Sequence, residues 1–342
     1  MMPFFLAFFV LCFALTGVAR RYALWRHALA IPEFRHHHLE PVPRGGGIAL
    51  VITMITLNLV MYRYDLIDIA AARSLSFSGL FLLLACIAND LRPLTLRVRL
   101  LLQVVAVSLA LTWYDRDLIV IVFDSYLYLS GWWFPLLGLL LLGFINLNNV
   151  MNEVDGLVAS QSFIMIFAAA SLLAISGELQ WTIPLILLCA PILGFLAWNW
   201  PPARIMMGDA GSSFLGLFIS LLGLHLAGDT SINLWVWLIL MAAFITDVVT
   251  TFLVRARFAL SLMPSSHKNH AYQILARKWD SHFYVTVLLC AICWLWLFPL
   301  AYLAMEFEGW GLVLLALAIL PIAAACLYLK AGRDDMDTEP AL

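Results

Sequence analysis

Charge is what this sequence has least of. Only 12% of its 342 residues are Asp, Glu, Lys or Arg, against 64% hydrophobic, whereas a soluble domain is usually about a quarter charged. A chain this apolar cannot hide its surface in a soluble core, so the scarcity excludes a soluble protein and implies an all-α polytopic membrane protein. The net charge of −2 gives no basis for a nucleic-acid partner. Cysteine offers no ligand set. Cys12, Cys86, Cys189, Cys290, Cys293 and Cys326 all lie inside apolar runs and read as packing residues, including the CxxC in "VLLCAICWLWLF". The first apolar run has no basic segment before it and has Arg20 and Arg21 after it, so it reads as a retained span. No repeat, low-complexity run or linker divides the chain. Residues 1–330 read as one integral membrane domain and 331–342 as a disordered cytoplasmic tail.

Hydrophobic length is what the sequence has in plenty. About eleven apolar segments approach the roughly 20 residues a bilayer requires, centred near residues 10, 53, 82, 105, 140, 167, 190, 219, 243, 294 and 320. The stretch "DLIVIVFDSYLYLS" has strand composition and predicts a short exposed strand or hairpin instead. Loops after odd-numbered spans, with the C-terminal tail, hold 16 of the 19 Lys and Arg. By the positive-inside rule the N-terminus faces out and the C-terminus lies in the cytoplasm. The same topology puts "HHHLEPVPRGGG", "ANDLRPLTLRVR", "NLNNVMNEVDG", "NWPPARIMMGDAGSS" and "PSSHKNHAYQ" on the cytoplasmic face. Five polar loops on one face point to one site built from several loops. Few polar residues fall at mid-span, which argues against a transporter.

Each loop has a bland reading beside a chemical one. In "MGDAGSS", Gly208 and Gly211 allow close backbone approach to a ligand, and Asp209, which taken alone reads as a plain helix N-cap, also suits a hard cation such as Mg²⁺. Asp90 in "ANDLRPL" is a candidate site carboxylate or an interfacial anchor beside Arg92. His267 and His270 share a helical face with Lys268 nearby, a set suited to metal or phosphate or to a plain basic loop. "EPVPRGGG" offers Arg44 and Gly46 to a phosphate or simply leads into a span, and His36, His37 and His38 read as a surface run. Asp247 lies near the end of a span, where a carboxylate is a functional candidate by default, with Arg255 eight residues on as a structural ion-pair partner. Together the loops describe carboxylates, amides and imidazoles at a bilayer surface, fit for a metal-bound diphosphate meeting a lipid.

The order and wording of these motifs resemble one family. PRGGG, an acidic pair after the third span, N-x-x-N-x-x-x-x-x-D-G-L, "NWPPARIMMGDAGSSFLG" and H-x-x-H-A-Y-Q are similar to the polyprenyl-phosphate N-acetylhexosamine-1-phosphate transferases. The similarity runs from about residue 40 to 275 and is nearest the bacterial branch that primes O-antigen and related glycans. The resemblance implies transfer of a 2-acetamido-sugar 1-phosphate from a UDP-sugar to undecaprenyl phosphate with release of UMP. It implies Mg²⁺ or Mn²⁺, a bacterial inner-membrane location, a cytoplasm-facing site and a homodimer. Carried over residue by residue, it makes Asp209 the principal metal ligand, with Asp155 shaping the metal site. Asn149 and Asp155 would contact nucleotide or sugar, His267 and His270 would sit near the diphosphate, and Asp90 near the lipid phosphate. Asn152, Glu153, Arg44, Gly46, Lys268 and Arg204 complete the expected substrate contacts. Two departures stand out. Asn89-Asp90 replaces the usual Asp-Asp, and Asn152-Glu153-Val154-Asp155-Gly156 replaces D-G-x-D-G. An amide can coordinate a cation through oxygen but cannot act as a base. The other reading is therefore a catalytically impaired relative that binds lipid phosphate or UDP-sugar as a regulator or scaffold.

Overall fold

The computed structural model describes residues 1–26, 29–30, 42–129, 131–258 and 269–333. Helix α1 (Met2–Trp25) is followed by strands β1 (Leu29–Ala30) and β2 (Val42–Pro43), then α2 (Gly47–Arg63), α3 (Ile69–Leu91) and α4 (Leu96–Thr112). Strands β3 (Leu118–Val122) and β4 (Ser125–Leu129) precede α5 (Phe134–Met151), α6 (Leu157–Ile175), α7 (Leu179–Asn199) and α8 (Gly208–Asp229). Helices α9 (Leu234–Leu240), α10 (Ala242–Arg257), α11 (Ala271–Trp279), α12 (His282–Ile292), α13 (Phe298–Glu306) and α14 (Gly311–Tyr328) follow.

Among the described residues, eight helical segments are long and apolar enough to cross a membrane, or nine if α9 and α10 form one span bent by 71°. One of the eight is α12 with α13, joined by a π turn at Cys293–Leu297. Pro299 follows that turn and lacks the N–H that would close a regular one. Each of the eleven apolar centres falls in a helical segment. The two beyond the nine are α2 and α4, of 17 residues each. The chain is an all-α polytopic membrane protein. The stretch of strand composition forms an antiparallel hairpin, β3 with β4, in which Val122 faces Ser125. It docks by Phe123 N–H to the Gly309 carbonyl and by Trp235 Nε1 to the Ile121 carbonyl, both at 2.8 Å.

Helix α8 is the centre of the bundle. Its apolar core is 94% buried, against 17% for α1 and 22% for α14. Its few mid-helix polar groups, Ser220 and His225, are buried as well, so it turns no face to water or lipid. Within lipid there is no hydrophobic drive between helices, so close approach at small residues supplies the contacts. A Cβ on Gly47 of α2 would stand 2.5 Å from Gly211 Cα, and one on Gly216 would meet the Phe144 carbonyl of α5 at 2.6 Å. At its far end, Asp229 accepts Arg116 Nε at 3.0 and 3.1 Å, and Asp68 and Asp115 bind the same guanidinium. Of the segment expected as a tail, residues 331–333 are packed and the rest lies outside the described residues. Ala331 is buried and Gly332 N–H bonds the Asn269 carbonyl at 2.7 Å, so the packed fold runs to residue 333.

Candidate active site

The start of α8 is fastened to the glycine-rich loop before α2. Gly46 and Gly47 donate to the carbonyls of Met206 and Met207 at 3.1 and 2.9 Å, and Met206 donates to Pro43 at 2.9 Å. Gly46 is buried, and a Cβ there would come within 3.0 Å of Ile205 and Phe195. Its role here is close packing. Arg44 beside it is exposed and within electrostatic reach of Asp90.

Asp209 lies in the first turn of α8 with 47% of its side chain exposed, 3.4 Å from the Arg99 guanidinium of α4. Both line a small cleft open to solvent. Helix α3 contributes Cys86 and Asn89 to it, α4 contributes Arg99 and Gln103, and α8 contributes Asp209 and Ser213. Spacings of three or four residues put each pair on one helical face. Leu82 and Leu102 add an apolar wall. Asp90 is exposed at the end of α3, within electrostatic reach of Asp209, Arg44 and Arg99. Asn89 uses its side-chain oxygen to accept Leu94 N–H at 3.1 Å, closing the turn into α4.

Asn149 backs the cleft from α5. Its Oδ1 accepts the Ser212 and Ser213 hydroxyls at 2.7 and 2.9 Å, while its Nδ2 is buried with no hydrogen-bond partner. A buried amide donor left over in this way is unusual. One helical turn back, Asn146 donates to Gln103 Oε1 at 2.9 Å.

Asp155 is placed differently from the expectation that it joins Asp209 at a metal. Its buried carboxylate accepts Ala203 N–H at 3.0 Å, and His282 Nδ1 stands 3.3 Å from both its Oδ2 and its backbone nitrogen. Its carbonyl accepts the Thr286 hydroxyl at 2.9 Å. It does not line the cleft. The reason is the buried Ala203 amide, which must find an acceptor inside the protein. Gly156 follows at φ +69°, where a Cβ would come 2.9 Å from Pro201, and donates to Asn199 Oδ1 at 3.1 Å. Asn199 in turn donates to the Ile205 carbonyl at 2.9 Å. The D-G and NWPPAR motifs thus lock onto each other. Asn152 is half-buried at the end of α5, and exposed Arg204 offers its carbonyl to Arg20 Nε at 3.1 Å.

The HAYQ segment starts α11. His270 is the N-cap, its ring buried, 3.4 Å from Asp247 and stacked on Tyr272 with centroids 5.7 Å apart. It does not line the cleft. Asp247 accepts Ala271 N–H at 3.0 Å, Tyr272 N–H at 3.2 Å and the Thr251 hydroxyl at 3.2 Å. These helix-start amides, rather than Arg255, meet its carboxylate; Arg255 donates to the Gly332 carbonyl at 3.3 Å. Tyr272 donates to the Val150 carbonyl at 2.5 Å, and Gln273 Nε2 donates to Glu153. Burial, with Glu153 and Asp247 nearby, pushes the Tyr272 phenol well above its ordinary value. His36, His37, His38, His267 and Lys268 lie outside the described residues. Among the described residues, no three His, Cys, Asp or Glu side chains are grouped to hold a metal by themselves.

Arg99, Gln103 and Asn199 have structural places that the motifs did not single out. A signal existed for the first two. Four residues apart on an apolar helix, they are polar groups sharing one face.

Comparison with known proteins bears on the same stretch. Residues 72–227 match the family model described as glycosyl transferase family 4. A probable undecaprenyl-phosphate N-acetylglucosaminyl 1-phosphate transferase of Bacillus subtilis is 32% identical over 213 residues, 61% of this chain and 58% of that protein. A phospho-N-acetylmuramoyl-pentapeptide-transferase of Petrotoga mobilis is 28% identical over 244 residues, 68% of this chain and 76% of that protein. An undecaprenyl-phosphate alpha-N-acetylglucosaminyl 1-phosphate transferase of Thermotoga maritima is 26% identical over 213 residues, 62% of this chain and 61% of that protein. The chain therefore spans about three-fifths of the length of the Bacillus and Thermotoga relatives. Residues 72–227 are thus similar to glycosyl transferase family 4, and the relatives that resemble this chain are named as sugar-phosphate transferases, two of them acting on undecaprenyl phosphate.

Proposed function

We propose that this chain transfers a 2-acetamido-sugar 1-phosphate from a UDP-sugar to undecaprenyl phosphate, releasing UMP, as the first step of a lipid-linked glycan such as O-antigen or another cell-envelope polysaccharide. An oxygen of the lipid phosphate forms a bond to the sugar-bearing phosphorus, and the bond from that phosphorus to the bridging oxygen breaks as UMP leaves. The observation that carries the reading is Asp209, half-exposed at the start of α8 in a cleft lined by Arg99, Asn89 and Gln103 together with Leu82 and Leu102. Such a cleft suits a substrate with an anionic head and a hydrocarbon tail. Its setting is a bacterial inner membrane, with the cleft on the cytoplasmic side.

Mg²⁺ binds through one or two carboxylates completed by phosphate and water. Asp209, with Asp90 in electrostatic reach, fits that donor set, and Asp155, spent on Ala203 and beside His282, does not. When bound, the cation would neutralise charge on the diphosphate and on the departing UMP. Arg99 and Arg44 would offset the charge of the incoming lipid phosphate, and Asn149 Nδ2 would donate to a substrate oxygen. Buried Asp155 would hold the surrounding loops in place. The UDP-sugar is expected to be a UDP-N-acetylhexosamine, with His267 and Lys268 near its diphosphate.

One observation favours the binding-only reading. Asn89 is an amide whose oxygen is already engaged by Leu94, so a base at that position is missing. Release of UMP from UDP-N-acetylhexosamines by purified protein, with undecaprenyl phosphate and Mg²⁺, separates the two readings. The transferase predicts release that needs lipid and metal and is lost in Asp209→Ala. Folded protein that binds a UDP-sugar yet releases no UMP from any donor would sink it.

A further inference from the structure

We infer that Asp247 is a positioning residue for the cleft, acting through α11 on the stretch from Asn149 to Glu153. The inference rests on the transferase reading for its kinetic consequences, though not for its structural ones. Asp247 sits on α10, and its two carboxylate oxygens accept the first two amides of α11. Those amides have no partner within their own helix, and a buried carboxylate without donors would be costly. The pairing therefore fixes both the place and the direction of the helix start. A nine-residue helix is too short to be stable alone, so α11 lies where its contacts put it.

Its other contacts lead to the cleft. Tyr272 hydrogen-bonds the carbonyl of Val150, in the last turn of α5, where carbonyls also lack helical partners. Gln273 reaches Glu153 just beyond the end of α5. Adjacent to Val150 is Asn149, which holds Ser212 and Ser213 in the turn that carries Asp209. Asp247, α11, the end of α5 and the start of α8 are thus linked by hydrogen bonds joined through the neighbouring residues Asn149 and Val150. None of these α11 side chains lines the cleft, so α11 acts on the site by holding the end of α5 that braces Ser212 and Ser213.

The test combines hydrogen exchange of residues 149–156 with UMP-release kinetics, on protein shown to be folded by gel filtration and thermal melting. The variants are Asp247→Ala, Asp247→Asn, Gln273→Glu and Gln273→Glu with Glu153→Gln. Gln273→Glu sets two carboxylates against each other, and the added Glu153→Gln restores an amide–carboxylate pair with the roles exchanged. Faster exchange at 149–156 is expected in Asp247→Ala and Gln273→Glu. A smaller effect is expected in Asp247→Asn, which keeps one acceptor oxygen, and protection should return in the double variant. kcat should fall about tenfold to a hundredfold in Asp247→Ala, the range for a lost supporting contact, with the donor KM changed by less than about twofold. Unchanged exchange at 149–156 in folded Asp247→Ala, or no return of protection in the double variant, overturns the inference. So does a loss carried by KM alone. If the wild type releases no UMP, the transferase reading fails while the exchange measurement still decides the role of α11.

Discussion

Asp209 and Arg99 face each other at 3.4 Å with side chains 47% and 38% exposed, so their attraction is screened by water and worth at most about 1 kcal/mol. A cation arriving at Asp209 must compete with Arg99. Arg99→Met should therefore tighten Mn²⁺ binding by substrate-free protein, by at most about fivefold, as measured by electron paramagnetic resonance. Weaker Mn²⁺ binding in that variant would show that the pair is not competitive. Asn89 allows a second comparison. Asn89→Leu removes the acceptor of Leu94 N–H and should cost about 1 kcal/mol of stability. Asn89→Asp keeps an acceptor and should melt with the wild type in detergent. Equal melting of all three proteins would deny Asn89 its structural part. The place of Asp209 in the first turn of a spanning helix was legible in the sequence because a long apolar run starts just after it. Arg99 was hidden because it counted only as one more basic residue in a cytoplasmic loop. The identity of Asp155 was legible but its setting was not, since that depends on an amide 48 residues away and a helix 127 residues away.

Among the elements, α11 is the one whose state should respond to alkali. The Tyr272 phenol is raised well above its usual value of 10, first by burial and then by Glu153 and Asp247. The folded chain keeps this proton where the unfolded chain releases it. Its contribution is therefore complete below about pH 10 and is lost as pH rises towards the folded value. Tyr272→Phe removes the bond to Val150 and should be about 1 kcal/mol less stable at neutral pH. Its melting temperature should then fall less steeply than that of the wild type above about pH 10. Parallel decline of the two proteins would mean that Tyr272 does not titrate against folding. Long apolar helices and the β3–β4 hairpin follow from local composition, and both could be read directly. The 71° break between α9 and α10 could not, because "LWVWLILMAAFI", which spans the break, is apolar throughout and contains neither Pro nor Gly. Nor could α11 be foreseen as an element that holds the end of α5, since its place is set by partners on α5 and α10.

For the whole molecule, the bias of Lys and Arg towards alternate loops makes a definite claim about sidedness. A cysteine in place of exposed Arg204 should react with an impermeant maleimide only after the membrane is opened. One in place of Tyr126, exposed on the β3–β4 hairpin, should react in intact spheroplasts. The reverse pattern would invert the topology. The lengths of α2 and α4 matter at the same scale. Seventeen residues rise about 26 Å, short of a hydrocarbon core of about 30 Å, and Arg97 and Arg99 stand in the first turns of α4. Lipid against the exposed face of α4 would thin to meet it, at an elastic cost that grows with acyl-chain length. A dimple of this kind beside the cleft would lower the surrounding headgroups towards Asp209, so a lipid phosphate would reach it without leaving its leaflet. Lipid-dependent UMP release should then be faster in vesicles of short-chain phosphatidylcholine than in long-chain ones, and the membrane's own compliance would be part of the catalyst.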